Sequence, residues 1–334
     1  MRTLAIETSC DETSASVVEY RDGKFKVLSL VVRSQVEHER FGGVVPEIAA
    51  RAHIEYIYRV VKKSLIDSGL SLKDMDVFSA TKGPGLAASL IVGLEFSKTL
   101  ALVEKKPFIG VNHMIGHIYS AYLSSDIKPP FMCLIVSGGH TDLVIVKGWY
   151  EFEHIGWTLD DAAGEAFDKG ARMLGLGYPG GAKIDRLARE GNKDFYKFPK
   201  VKVKQRGYFF SFSGLKTALL NLINEEGEKW VKENLPHIAA SYQEAIINTI
   251  VPTTLKALKD FNINKLAVVG GVALNSRLRE VLREKLGDNV IFSLPQYCTD
   301  NAAMIGAAGI MKFLIFGEDS QDISVYPSLG VIEK

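Results

Sequence analysis

His113 and His117 stand four residues apart in the string Val111-Asn112-His113-Met114-Ile115-Gly116-His117. On a helix, residues at i and i+4 share a face, with Cβ atoms roughly 5–6 Å apart. That is the reach two imidazoles need to hold one metal ion. The spacing is that of the H-E-x-x-H metalloprotease helix, but Met114 stands where that chemistry requires a glutamate base. A metal held here therefore acts without a local general base. The same spacing also occurs on surface helices that bind nothing. The pair is positioned by an apolar run, Pro107 to Val111, that reads as a strand, and by an amphipathic stretch that it opens and that ends near Leu123.

A chain of 334 residues exceeds one ordinary core, and about two domains is the natural expectation. Hydrophobic content of 47% with 24% charged residues is that of a soluble globular protein. A net charge of +1 excludes gross electrostatic capture of nucleic acid and leaves room only for a local basic patch. Cys10, Cys133 and Cys298 are odd in number and far apart, so neither a disulfide framework nor a Cys-x-x-Cys zinc site is available. Reduced thiols of the cytosol are the simpler account. An acid, Glu7, follows only three apolar residues at the start, too few for a signal-peptide core. No apolar run approaches the roughly 20 residues that span a bilayer, so a cytoplasmic protein without membrane contact is expected.

The order of elements is written twice. Residues 3–7, Ser14 to Tyr20 and Phe25 to Val32 read as three strands, the last two joined by an Asp22-Gly23 turn. Pro46 to Ser68 has helical periodicity, with Pro46 suited to a first turn. A strand at Val77–Ala80, the turn Lys82-Gly83-Pro84-Gly85, a helix from Leu86 and the strand before His113 complete one half. The second half opens with Phe131–Val136, turns at Ser137-Gly138-Gly139-His140, and returns through Thr141–Val146 and Trp149–Trp157. Leu266–Val269, Gly270-Gly271, a helix from about Asn275 to Leu286, the strand Val290–Phe292 and a helix from Asn301 to Phe316 follow. Chance rarely supplies the same sequence of elements twice. The expectation is an α/β protein of two duplicated domains with a nucleotide cleft between them. Glycine-bearing turns can cradle phosphate on backbone N–H groups.

At this point the chain resembles a known family. The layout is similar to the actin, sugar kinase and Hsp70 superfamily of duplicated ribonuclease-H-like domains. Within it, the strings resemble the tRNA N6-adenosine threonylcarbamoyltransferase (TsaD) family. They are Glu7–Thr13, Gly42–Glu47, Lys82–Gly85, His113–His117, Val136–Thr141, Asp161–Lys169, Tyr178–Gly181, Ser211–Thr217, Gly270–Asn275 and Thr299–Asn301. They cover residues 4 to 306, and Asp161–Lys169 and Ser211–Thr217 look closest to the bacterial and organellar branch.

The resemblance implies transfer of a threonylcarbamoyl group from threonylcarbamoyl-AMP to N6 of adenosine 37, next to the anticodon, in tRNAs reading codons that begin with A. It implies one divalent metal, Fe2+ or Zn2+, on His113, His117 and Asp300. An adenylate, or ATP, ADP or AMP with Mg2+, would occupy the cleft. The run Ile135, Val136, Ser137, Gly138 and Gly139 matches the phosphate-facing loop, and Asp168, Gly181, Asp185 and Asn275 match positions for the nucleoside. Implied partners are tRNA, a shorter TsaB-like paralogue, a TsaE-like P-loop ATPase and an upstream threonylcarbamoyl-AMP synthase. Domains are expected at residues 1–128 with 301–334, and at 129–300 with an insertion near 191–236.

Several residues keep two readings. Asp300 without the resemblance reads as a helix N-cap. Asp11 or Glu12 is a candidate general base toward the N6 amine, with His140 as competitor or as a structural histidine. Lys200 to Arg206 alternates cations with apolar residues, which fits either a tRNA contact or an edge strand guarded by lysines. Phe41-Gly42-Gly43 is a loop able to close over substrate or a rigid connection. The rival functions are a sugar- or acetate-type kinase or ATPase on the same fold, which would have no use for the histidine pair, and a metallopeptidase, weakened by Met114.

Overall fold

The computed structural model describes residues 1–35, 38, 41, 43–199 and 206–331. Contacts gather into two compact units. The first holds Met1–Pro129, Lys147–Phe152 and Ser293–Lys334, and the second Pro130–Val146 and Glu153–Phe292. The returning segment thus begins at Ser293 where the sequence suggested Asn301, and the hairpin tip at 147–152 joins the first unit.

In the first unit β1 (Arg2–Glu7), β2 (Glu12–Arg21) and β3 (Lys24–Ser34) form an antiparallel meander. Asp22 and Gly23 both take left-handed φ, 53° and 79°, as a two-residue hairpin turn demands. After α1 (Pro46–Ser68) come β4 (Val77–Gly83), α2 (Ala87–Glu104), β5 (Phe108–Asn112) and α3 (His113–Ser124). The sheet order is β3-β2-β1-β4-β5, with β4 and β5 parallel to β1.

The second unit repeats this. β6 (Phe131–Val136), β7 (Thr141–Gly148) and β8 (Glu151–Trp157) form the meander. α4 (Ala163–Met173), α5 (Gly181–Ala188), α6 (Ser213–Glu226), α7 (Glu228–Glu233) and α8 (Leu235–Asp260) follow, then β9 (Leu266–Val269), α9 (Ser276–Leu286) and β10 (Val290–Phe292). Its sheet order, β8-β7-β6-β9-β10, is that of the first unit when strands are counted from the start of each. This is the duplicated ribonuclease-H-like plan expected from the sequence.

α10 (Pro295–Cys298) and α11 (Ala302–Phe316) return to the first unit. α11 is apolar all round and buried from Ala302 to Lys312, as a core helix must be. A Cβ at Gly306 would meet Val18 Cγ2 at 2.8 Å, and one at Gly309 would meet Ser79 Oγ at 2.3 Å, so these positions let the helix settle on the sheet. Leu4 and Ile6 pack on the opposite side with Ile57 and Leu94, in keeping with the alternation of a strand. Beyond α11 the chain runs back along this unit as a strap. Tyr326 N donates to Lys82 O (2.7 Å), Gly85 N to Pro327 O (3.1 Å), and Asn112 Nδ2 to Gly330 O (2.7 Å). The buried Lys312 ammonium ties the start of the strap to Asp319 and to Gly110 O.

The basic run 200–206 lies outside the described residues except for Arg206, and so does Gly42. Within the expected insertion, α6 and α7 are helical. Asp160 caps α6 from a distance, accepting from Phe212 N (2.7 Å) and from Ser213 N and Oγ (3.2 and 2.8 Å).

Candidate metal centre and glycine loop

The strand-to-helix junction at β5–α3 puts both histidines in place. Asn112 ends β5 and caps α3, its Oδ1 accepting from Met114 N (2.9 Å). His113 and His117 then lie one turn apart, ring centroids 4.7 Å from each other. The third donor comes from the loop before α11. There Asn301, not Asp300, is the N-cap, accepting from Met304 N at 3.1 Å. Asp300 is therefore free to face the imidazoles, with Oδ1 3.5 Å from His113 Nε2 and 3.2 Å from His117 Nε2. One donor atom from each of the three residues lies within 4.8 Å of the other two. Ligands sharing a tetrahedral ion with bonds of about 2.0–2.1 Å stand roughly 3.3–3.5 Å apart, so the set fits a metal. His117 is fully buried, yet neither ring nitrogen makes a hydrogen bond. A buried imidazole left in that condition costs free energy unless something else takes its lone pair.

Glu7, at the end of β1, was not among the expected site residues. His113 Nδ1 donates to its Oε2 at 3.1 Å, while Thr81 Oγ1 donates to Oε2 (2.6 Å) and Ser9 N to Oε1 (2.5 Å). This carboxylate fixes the His113 ring so that Nε2 faces Asp300, the usual support of a ligating histidine. The signal was present in the sequence: a lone acid closing an apolar strand has to be paired.

The charges of the cluster follow. Burial raises the Glu7 carboxyl, but the adjacent His113 more than offsets this and holds it below its ordinary range. Asp300 likewise is held well below, burial being outweighed by His113 and His117. Burial depresses His113, yet Asp300 and Glu7 lift it well above a normal imidazole. His117 is lowered, chiefly by burial. The two carboxylates thus favour a positive charge between them, His113 being raised and His117 lowered. A divalent ion would take the place of the His113 proton.

Glu12 and Asp11 share this electrostatic neighbourhood. Burial, then Asp300 and Asp11, push the Glu12 carboxyl well above its normal value. Burial and the charges of Asp11, Asp300 and Glu12 raise the Cys10 thiol, so Cys10 is inert as a nucleophile. His53 of α1 pins both flanks of the acidic pair: its Nε2 donates to Cys10 O (3.0 Å) and its Nδ1 accepts from Thr13 Oγ1 (2.8 Å).

His140 belongs to the second unit and is half-buried; Ser137 N donates to its carbonyl at 2.9 Å, and its own N donates to Ser137 Oγ at 3.2 Å. Between them Gly138 and Gly139 are exposed, and a Cβ at either would meet nothing within 4 Å. Neither has a positive φ, so the chain itself does not require glycine there. Gly83 differs: at φ 151° a Cβ would lie 2.0 Å from Tyr326 O, so the strap, not a ligand, fills that space. Ile135 and Val136 are buried in β6, leaving only their backbone to a ligand.

The side chains expected at a nucleoside are engaged within the unit. Asp168 Oδ1 accepts from Gly180 N (2.7 Å), and burial raises its carboxyl. Gly181 opens α5. Asp185 Oδ1 accepts from Ser276 N and Oγ (3.1 and 2.6 Å), and its Oδ2 from Arg189 (2.9 Å). Asn275 caps α9 through Leu278 N (3.0 Å) and donates to Gln243 Oε1 (2.6 Å). These side chains join the start of α9 to α5 and α8.

The duplicated ribonuclease-H-like fold is that of the actin, sugar kinase and Hsp70 superfamily, and its first half carries a His-His-Asp donor set. The fold is similar to that of component A of the (R)-2-hydroxyglutaryl-CoA dehydratase from Acidaminococcus fermentans, with a TM-score of 0.56 at 15% identity over 93% of this chain and 98% of that one. A family profile described as tRNA N6-adenosine threonylcarbamoyltransferase matches residues 26–307. Proteins of that name from Clostridium beijerinckii (50% identical over 336 residues, 99% of this chain and 98% of that protein) and Clostridium kluyveri (48% over 340 residues, 100% and 99%) align along their length. The chain belongs to the tRNA N6-adenosine threonylcarbamoyltransferase family. It is accordingly a transferase of acyl-type groups acting in tRNA modification, and the kinase and metallopeptidase readings are not favoured.

Proposed function

We propose that this chain moves the threonylcarbamoyl group of threonylcarbamoyl-AMP to N6 of adenosine 37 with one Fe2+ or Zn2+ held by His113, His117 and Asp300. The observation that carries the metal assignment is His117, buried with both ring nitrogens lacking a hydrogen bond beside two other donors. A bound divalent ion supplies a Lewis acid to the carbamoyl carbonyl or the departing phosphate. Glu7 orients His113. Backbone N–H groups of Ser137, Gly138 and Gly139 receive the phosphate, where open space at the two glycines supports close approach. Asp168, Gly181, Asp185 and Asn275 shape the nucleoside pocket. The N–C bond forms as the C–O bond to AMP breaks, and the proton leaving N6 passes to Asp11 or Glu12, with His140 as the competing acceptor.

The remaining assignments rest on the resemblance. A TsaB-like paralogue is the implied partner. A TsaE-like ATPase and an upstream synthase complete the pathway. Among the described residues no helix is long and apolar enough to cross a membrane, which supports a cytoplasmic setting. The test is anaerobic purification with metal analysis, then transfer from labelled threonylcarbamoyl-AMP to unmodified tRNA. Metal near one per chain and loss of both metal and transfer in His113→Ala are expected. Full transfer by metal-free protein would reduce the histidines to structure.

A further inference from the structure

The second unit contains a groove of about 700 Å3 that the transferase reading leaves unassigned. It runs between the segment 193–199 and α8, with Lys193, Lys197 and Lys256 on its walls beside the rings of Tyr196, Phe198 and Phe209. Two acids also line it, Asp194 and Glu244. Glu244 is already neutralised, because Arg277 grips it with Nε at 2.7 Å and Nη2 at 3.1 Å. Lys193 Nζ stands 3.9 Å from the same carboxylate and adds charge that Glu244 does not need. Lys197 and Lys256 pair with no carboxylate among the described residues; the Lys256 ammonium lies 5.5 Å from the centre of the Tyr208 ring. In a protein whose net charge is +1, the groove is a local excess of cations interleaved with aromatic faces.

Its position matters as much as its charge. Glu244 sits next to Gln243 on α8, and Gln243 holds Asn275, while Arg277 follows Ser276, the partner of Asp185. The groove therefore shares a wall with the polar cluster at the start of α9.

We propose that this groove seats the single-stranded sugar–phosphate backbone of the tRNA anticodon loop, with lysines on phosphates and the half-buried rings of Tyr196 and Phe209 facing unstacked bases. The identity of the partner rests on the transferase reading, whereas the site rests on the charges and rings just described. The test compares full-length wild type, the double variant Lys197→Ala/Lys256→Ala and a control, Lys229→Ala/Lys232→Ala on α7. Unmodified tRNA binding is followed across a salt series, and transfer is followed against tRNA concentration. The groove variant is expected to lose about 0.7 from the salt slope per lysine and to bind tRNA roughly tenfold more weakly near 150 mM salt. Its KM for tRNA rises while kcat at saturation and metal content stay those of wild type. An unchanged slope, or an equal loss in the control pair, overturns the groove assignment while wild-type transfer leaves the transferase reading intact. Wild-type protein that neither binds nor modifies tRNA would overturn both.

Discussion

The two units share one strand order but differ at the turn after the first strand of each. In the first, the chain closes on itself: Tyr326 O fills the space at Gly83, Glu7 and Ser9 meet His113 Nδ1, and Thr81 holds Glu7. In the second, Gly270 likewise closes on Val136 O, but Gly138, Gly139 and Gly271 each face space with no described atom within 4 Å of a Cβ. One half is a set of side chains oriented in advance. The other is backbone left bare. Duplication thus preserved the scaffold while glycines came to serve closure in both copies and open space in the second. A glycine in a sequence says that something comes close; it does not say whether that something is the protein.

The largest expected difference between the halves lies in chemistry. His113→Ala removes a ligand from the closed half, and transfer should fall by about 100- to 1,000-fold, the size expected when several kcal/mol of charge stabilisation disappear. Metal content would fall with it, and retention of both would dissolve the contrast. Gly83→Ala should cost stability instead, roughly 2–4 kcal/mol, because its Cβ meets backbone and its φ is unfavourable for an L residue. Urea unfolding measures this. Glu7→Gln keeps the shape but weakens the hold on His113, so metal affinity should drop about 10- to 100-fold in a chelator competition. Gly138→Ala in the open half is expected to leave the urea midpoint alone and to weaken adenylate binding about tenfold, close to 1.4 kcal/mol. A stability loss there equal to that of Gly83→Ala would mean that the two halves are not different after all.

The smallest effect is one of pH. Burial lowers the pKa of His53 below the ordinary 6.5. Below that pH the unfolded chain takes up a proton that the folded chain refuses. The His53 contribution is therefore complete above about pH 6.5 and is lost as pH falls toward the lowered value. His53→Gln should flatten this part of the stability profile, read as urea midpoints between about pH 7 and pH 5. An unchanged profile would remove His53 from the closed half's polar network.

What the sequence disclosed depended on how far apart the cooperating residues lie. The β5–α3 junction was legible because the apolar strand, the Asn112 cap and the histidine spacing are local. Pro46–Ser68 and Val290–Phe292 were likewise readable from periodicity. Asp300 needed the resemblance, since locally it competes with Asn301 for the cap. The ties of Glu7 to Thr81 and His113 span 74 and 106 residues, and no local pattern reports them. The same holds for α6, whose cap is Asp160 on a distant loop, and for the groove, which exists only once segment 193–199 lies against α8.

The strap has a consequence for how the molecule is made. A ribosome that has passed residue 200 has already produced Glu7 and both histidines. It has produced neither Asp300 nor the carbonyl of Gly330, which Asn112 reaches across 218 residues. The first unit must therefore wait, its central helix site on the sheet uncovered, until the second unit has been synthesised. Such long-range closure is slow, and it exposes the apolar faces that α11 will later cover. It also means that a half-made chain lacks Asp300, the third of the three donors. The donor set is completed late, only after the second unit has been made.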